Sequence, residues 1–477
     1  MKFKFILASL IAAIPYSYEE EVCKFACPSE FNSSEIIFPV RSAEIFDPFT
    51  NLELESIATF TKQKLGLLQE VPTDTCFGKY LYAVDFYHDS KATVLKSLDN
   101  GTAYDGRYAK AVVFDLETDA TAKLVEYKIG PISSFPLASN TLVQVIRWPG
   151  NYGNKTFLPA TLRPVSNIER SLMSPLLEDT FQKLQNLTLV SYGVNDGSSF
   201  TWGDSSPRGF SNNTRQSWIW FMWNVEGFFA HPIGLEFLIN HKALDPAKWT
   251  ILQISYNEIP FKSVDDLSKQ FNQGKLPIIK YPKPQGSSEA PLWSSLRRRG
   301  AIRPLDTRAV PKIIEESGPR FVVQGHQVHW LSWDFHIGYE LIAGIRFNDI
   351  RFRGERIIYE LALQDAFALY GGYAAMQAQS QYNDAGWGMG WSSRTLIPGV
   401  DCPATSSYLD IDYFVEGKLG HSSRSICIWE QPESIAIMRH YDGYADGFNF
   451  AGGWPRTALV IRFPSQVSGG IFIFTIY

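Results

Sequence analysis

Apolar positions along the chain follow first a helical spacing and then an alternating one, and this sequence of patterns occurs twice. Thr50-Asn-Leu-Glu53 has the form of a capping box, after which Leu54, Ile57, Ala58, Thr61 and Leu65 share one helical face and Gly66 ends the run. Strand-like runs follow at 80–86, 109–114 and 122–128. A helix followed by a meander predicts a small α+β domain, placed at 40–150. Ser166-Asn-Ile-Glu169 is a second capping box, with Ile168, Leu172, Met173, Leu176 and Leu177 as the apolar face and Pro175 as a kink inside it. Strands at 218–223 and 249–256 and a short helix capped by Ser263, stopping near Gly274, complete a second α+β domain at 165–275. The Pro- and Ser-rich stretch 276–312 reads as a linker, with Arg297-Arg-Arg299 on its solvated surface. Beyond it Ile345-Arg-Phe347, Ile350-Arg-Phe352 and Ile357 to Leu363 alternate, and Arg353-Gly-Glu-Arg356 supplies a hairpin turn. The region 313–477 is therefore expected to be all-β and sandwich-like, and the chain as a whole α+β.

Composition narrows the function classes. With 44 Lys+Arg against 49 Asp+Glu the net charge is −5, and 45% of residues are hydrophobic, which excludes a disordered chain and argues against a nucleic-acid partner. Residues 1–18 carry Lys2 and Lys4, then an apolar run from Phe5 to Ile14 that Pro15 closes, the pattern of a secretory signal peptide. A membrane span needs about 20 apolar residues, so secretion is expected, with an uncleaved N-terminal anchor as the alternative. Sequons at Asn32, Asn100, Asn154, Asn186 and Asn212 agree with export and predict a glycoprotein. The five cysteines, Cys23, Cys27, Cys76, Cys402 and Cys427, leave one unpaired or paired between chains. Cys402 and Cys427 bracket strand-like sequence and read as a structural disulfide. Cys23 and Cys27 read as disulfide partners too sparse for zinc, and the pairing of Cys23, Cys27 and Cys76 stays open.

Nucleophile-elbow, phosphate-loop and His-Glu-x-x-His motifs are absent. His326, His329 and His336 invite a metal reading. On one strand, however, 329 points away from the other two, and 326 and 336 would stand about 33 Å apart, so ordinary strand and turn histidines are expected. The most unusual stretch is Tyr382-Asn-Asp-Ala-Gly-Trp-Gly-Met-Gly390. Its glycines permit close backbone approach, and a carboxylate at Asp384 buried among aromatics would serve as a general base; the other reading is a surface turn. Asp384 with Asp410, Asp412 or Glu430 would also make a glycosidase pair, with the tryptophans as sugar platforms.

These segments together resemble the copper-containing amine oxidases, closest to the animal secreted or membrane-anchored type. The resemblance rests on Gly234-Leu-Glu-Phe-Leu-Ile-Asn-His-Lys-Ala-Leu-Asp-Pro-Ala-Lys-Trp249, Gly318-Pro-Arg-Phe321, Asp349 to Leu361, Tyr382 to Gly390, Pro398-Gly-Val-Asp-Cys-Pro403 and Ile426-Cys-Ile-Trp-Glu-Gln431, in the family's order from about residue 45 to Arg462. It implies two small cystatin-like α+β domains and a large β-sandwich catalytic domain, here incomplete, in a homodimer. It also implies oxidation of primary amines by dioxygen to aldehyde, ammonia and hydrogen peroxide. The implied cofactors are copper and topaquinone, the latter made from a tyrosine of the chain. By motif match Asp384 is the proton-abstracting base, Tyr370 hydrogen-bonds the quinone, and Cys402–Cys427 is the catalytic domain's disulfide.

The match carries an expectation of lost activity. Aligned without gaps, Gly469, Gly470 and Ile471 stand where the resemblance places Asn-Tyr-Asp/Glu, so Gly470 occupies the topaquinone position. The family's copper histidines would lie further downstream, so no metal ligand is assigned in this chain, and the chain as written is expected to be inactive. Residues 463–477 look unrelated to the family, which suggests a frame change, retained intron or misplaced gene boundary and exposed strand edges near 458–477. A non-catalytic secreted binding or adhesion fragment is the alternative function.

Overall fold

The computed structural model describes residues 43–132, 135–148, 153–209, 213–285, 312–363, 367–369, 371, 374, 381–383, 388–442, 449–467 and 470–476. Helices are α1 (Ala43–Phe46), α2 (Asn51–Leu65), α3 (Lys91–Asn100), α4 (Asn167–Lys183), α5 (Gln185–Tyr192) and α6 (Val264–Asn272). The first ten strands are β1 (Gly78–Tyr87), β2 (Arg107–Leu116), β3 (Lys123–Ile132), β4 (Leu142–Val145), β5 (Leu158–Pro159), β6 (Phe200–Asp204), β7 (Gln216–Trp223), β8 (Pro232–Asn240), β9 (Thr250–Tyr256) and β10 (Ile259–Phe261). The remainder are β11 (Phe321–Gln324), β12 (Gln327–Trp330), β13 (Trp333–Glu340), β14 (Gly344–Phe352), β15 (Glu355–Ala362), β16 (Phe367–Leu369), β17 (Gln381–Asn383), β18 (Ser407–Val415), β19 (Lys418–Asp442), β20 (Asn449–Val467) and β21 (Gly470–Ile476). The fold is mixed, with antiparallel pairing between the named strands throughout.

Helix α2 forms as its sequence dictates. Thr50 and Glu53 make the reciprocal capping box, and Gly66 closes the helix at φ 62°, a left-handed conformation that costs glycine little. Leu54, Ile57 and Ala58 are buried against Leu81, Val84, Ala111 and Val113 of the sheet beneath. Helix α4 keeps only half of its box: Ser166 accepts from Glu169 N–H, but the Glu169 side chain turns inward instead of returning to the cap. Pro175 does not break α4, which runs on to Lys183. Helix α6 is capped by Ser263, as its sequence predicts. Helices α3 and α5 have no counterpart in the sequence reading. Helix α3 buries only Val94 and so shows no wide apolar stripe, while α5 buries Leu187, Thr188, Ser191 and Tyr192 over only two turns.

The sheets join distant parts of the chain. Strands β10-β9-β8-β7-β6 form one five-stranded sheet and β11-β12-β13-β14-β15 another. The first meander is not a closed unit: β1 pairs with β18 through Ala83 with Val415 and Val84 with Phe414, giving one sheet in the order β21-β20-β19-β18-β1-β2-β3-β4. Sheet β11–β15 packs on β18–β20, burying Val328, Ile337 and Phe347 against Ile411, Ile428 and Phe463. The hairpin between β14 and β15 turns on Arg353 and Gly354, at φ 51° and 81°, with Phe352 opposite Glu355. Of the expected linker, residues 276–285 are described, and Tyr281 ties them to helix α5 and strand β7: Tyr281 N–H donates to Ser191 O, and Trp223 Nε1 donates to Tyr281 O. Arg297 to Arg299 lie outside the described residues.

Candidate functional site

Asp384 and Tyr370 both lie outside the described residues. Their flanking strands are described: β16 and β17 pair antiparallel, Phe367 with Asn383 and Leu369 with Gln381. The chain re-emerges at Gly388, four residues beyond Asp384. Met389 N–H donates to Ile342 O at 3.0 Å, and Gly390 N–H to Leu341 O at 3.1 Å. A Cβ at residue 390 would overlap the Glu340 carbonyl, so glycine is required for the segment to lie on the β13–β14 turn.

Beneath that turn sits a group of charges which the sequence reading passed over. Asp85, Lys110 and Glu126 occupy neighbouring strands β1, β2 and β3, with Asp85 directly opposite Lys110. Burial pushes the Asp85 and Glu126 carboxyls up, outweighing the Lys110 charge. Burial would lower Lys110, yet Asp85, Glu126 and Glu340 hold its ammonium above the usual lysine range. Burial likewise opposes ionisation of Glu340, but the His88 hydrogen bond and the Arg346 charge bring it down to about 2. Arg346 also meets Glu360 at 2.8 Å. Each of Asp85, Lys110 and Glu126 sat inside an apolar strand pattern, and a charged residue at the centre of such a run was the signal available.

The carboxylates weighed as partners for Asp384 are already engaged. Glu430 accepts from Arg320 Nη2 at 2.8 Å and Trp330 Nε1 at 2.7 Å. Asp412 accepts from Asn51 N–H at 2.9 Å and pairs with His421 Nδ1 at 2.6 Å, which raises the His421 pKa. Asp410 accepts from Arg424 N–H at 2.7 Å.

His326, His329 and His336 are not on one strand, because β12 turns back into β13 and Gln327 faces His336. His326 Nδ1 lies 3.0 Å from Ile337 O and His329 Nδ1 lies 2.7 Å from Asp334 Oδ1. Burial lowers the His336 pKa to about 4. Among the described residues no group of three His, Cys, Asp or Glu side chains is arranged to hold a metal ion.

A second buried charge centre also escaped the sequence reading. Glu169 receives Arg215 through Nε and Nη2 at 2.9 Å each, Arg163 Nη2 at 3.1 Å and His241 Nδ1 at 2.6 Å. Burial would favour the neutral acid, but the two guanidinium groups hold Glu169 well below the usual carboxylate range. His241 is lowered by burial; it is neutral, with Nδ1–H toward Glu169 and Nε2 3.0 Å from the Ser217 hydroxyl. Cys76 lies beside this centre, buried and unpaired, its thiol pushed up to about 11 by burial.

Cys402 and Cys427 form a disulfide. Asn100, at the end of α3, and Asn154 are exposed. Asn186 is exposed on α5, with its amide 2.6 Å from Asn272 Oδ1. Asn32, Asn212, Cys23, Cys27 and the signal-like residues 1–18 lie outside the described residues. No helix among the described residues is long and apolar enough to cross a membrane. Gly470 opens β21, paired with Val467.

Residues 322–473 match the family model described as "Copper amine oxidase, enzyme domain". The match runs past Arg462, where the sequence reading placed an abrupt end. Phe463 and Ser465 are fully buried in β20, and β20 pairs with β21, so the stretch beyond Arg462 continues the sheet. The chain is 30% identical over 441 residues to the human protein "Diamine oxidase [copper-containing]", covering 90% of this chain and 57% of that one. It is 29% identical over 444 residues to the bovine "Primary amine oxidase, liver isozyme", covering 91% and 56%. It thus spans little more than half the length of these relatives. The fold is that of the Pichia pastoris lysyl oxidase structure, with a TM-score of 0.79 at 23% identity, covering 91% of this chain and 58% of that one. The Aspergillus nidulans amine oxidase structure gives 0.74 at 19%, covering 91% and 57%.

Proposed function

Because the chain is a homologue of the copper-containing amine oxidases, we propose that it descends from an enzyme oxidising primary amines with dioxygen and that, as written, it does not build that enzyme's quinone. One observation carries this reading: Gly470 stands at the position which the resemblance gives to the quinone-precursor tyrosine. The strand it opens, Gly470-Ile-Phe-Ile-Phe-Thr-Ile476, holds no phenol to oxidise and no imidazole to bind copper. The residues present there do not fit topaquinone, and no catalytic step is routed through it. Asp384 would be the base of the parent enzyme and Tyr370 its quinone contact, and their motif context supports both roles. Secretion, glycans at the five sequons and a homodimer belong to the same reading; the exposure of Asn100 and Asn154 supports it.

The test is direct. The chain is expressed with added copper and assayed for bound copper, for phenylhydrazine-reactive colour and for peroxide released with benzylamine. Neither colour nor peroxide is expected. Colour together with amine-dependent peroxide would overturn the reading. The same glycine favours a second role, a non-catalytic secreted binding protein, which predicts saturable binding to a partner without peroxide.

A further inference from the structure

The β13–β14 turn, Glu340 to Gly344, touches three separated parts of the chain. Its Leu341 and Ile342 carbonyls receive Gly390 and Met389. Gly344 lies under Phe463 of β20, where an added Cβ would stand 3.2 Å from the ring. On its other side Leu341 N–H donates to Asp85 Oδ2 of β1 at 3.3 Å. We infer that strand β1 positions the segment 388–391, which lies shortly after Asp384, with Asp85 as the positioning residue acting through Leu341.

Asp85 sits in a paired strand, and its Oδ1 accepts the Phe86 N–H at 2.8 Å, which fixes the carboxylate and leaves Oδ2 for Leu341. Leu341 then passes the constraint on, because its carbonyl accepts both Gly390 N–H and Trp391 N–H. Ala83, Leu341 and Val415 are buried together with Tyr82 and Trp391 against them, so the same contact is also packed. A side chain at 390 could not be accommodated against the Glu340 carbonyl, so the segment has one seating on the turn. The charges facing Asp85 are Lys110 of β2, Glu126 of β3, Glu340 of β13 and His88. Lys110 favours the Asp85 carboxylate by its charge alone, without fixing where its oxygens point. The hydrogen bond to Leu341 is what a mere ion pair does not require.

The functional meaning of this brace rests on Asp384 being the lineage's base, but its test does not. Hydrogen exchange is followed by mass spectrometry on the full chain and on Asp85→Ala and Asp85→Asn. Losing one buried acceptor should speed exchange at 388–391 by about tenfold while α4 and α5 keep their protection. Asparagine has one carbonyl for the two N–H groups that Asp85 serves, so its protection should fall between wild type and alanine. Should the alanine variant fail to be secreted, Asp85→Ser, whose hydroxyl is too short to reach Leu341, gives the same reading. Unchanged protection at 388–391 in the alanine or serine variant would overturn the inference. So would loosening spread equally over α4 and α5. A positive peroxide assay would leave these outcomes untouched.

Discussion

Arg215 grips Glu169 as a planar fork, Nε to Oε1 and Nη2 to Oε2, both at 2.9 Å, with neither side chain reached by solvent. Removing one partner of such a buried pair strands the other charge. Glu169→Ala should cost about 3–5 kcal/mol, read as a lowered urea midpoint with unchanged slope. A loss under about 1 kcal/mol would show that Arg163 and Arg215 find other partners, and the fork would not be a stability determinant.

His336 makes stability fall in mild acid. Its folded pKa is about 4 against the ordinary 6.5, so the folded chain prefers the neutral ring. Above 6.5 neither state binds the proton and stability is complete. As pH falls from 6.5 toward 4 the unfolded chain takes up a proton that the folded chain refuses, at about 1.4 kcal/mol per pH unit. His241 and His326, also lowered by burial, act in the same direction. Urea unfolding at pH 7 and pH 5 should give His336→Asn a pH dependence smaller than wild type by roughly 2 kcal/mol. Identical dependence in the two proteins contradicts the assignment.

The disulfide closes a separation of 25 residues between Cys402 and Cys427. Replacing both with serine should destabilise by about 3 kcal/mol, the loop entropy restored to the unfolded chain. Thermal unfolding of the double variant checks this, and an unchanged midpoint would count against it.

Thr50→Ala removes the acceptor for Glu53 N–H and should cost about 1 kcal/mol. Gly66→Ala forces a Cβ onto a backbone at φ 62° and should cost about the same. The two changes lie at opposite ends of α2, so their effects should add in a denaturation series. Strong non-additivity would mean that the helix unravels from one end.

Much of this was legible from local patterns. The caps at Thr50, Ser166 and Ser263 and the strands around 80, 110 and 125 follow from residues within one turn or one ladder of each other. The hairpin was legible too, although its turn is confined to Arg353 and Gly354, with Glu355 and Arg356 of the expected turn already paired in β15. What escaped depends on partners far along the chain. Glu169 fits a capping box until Arg215 and His241 arrive from the ends of β7 and β8 to claim it. The three histidines looked strung along one strand because Leu331, at φ 54°, gives no sequence cue to the turn it occupies. Of the site, the disulfide was legible from spacing. Asp85 was hidden because its role is a single contact to a backbone N–H, for which no residue type at 341 is diagnostic.

Asp412 holds the first backbone N–H of α2 across 361 residues of intervening chain. At about 5–20 residues per second during synthesis, the helix and strand β1 leave the ribosome roughly 20 to 70 seconds before their closing partners exist. Over that interval the inner edge of β1 is open to any extended peptide. Cellular holdases are the natural guardians of such a nascent chain, and a drop in their supply should reduce yield more than a stability loss of equal size elsewhere.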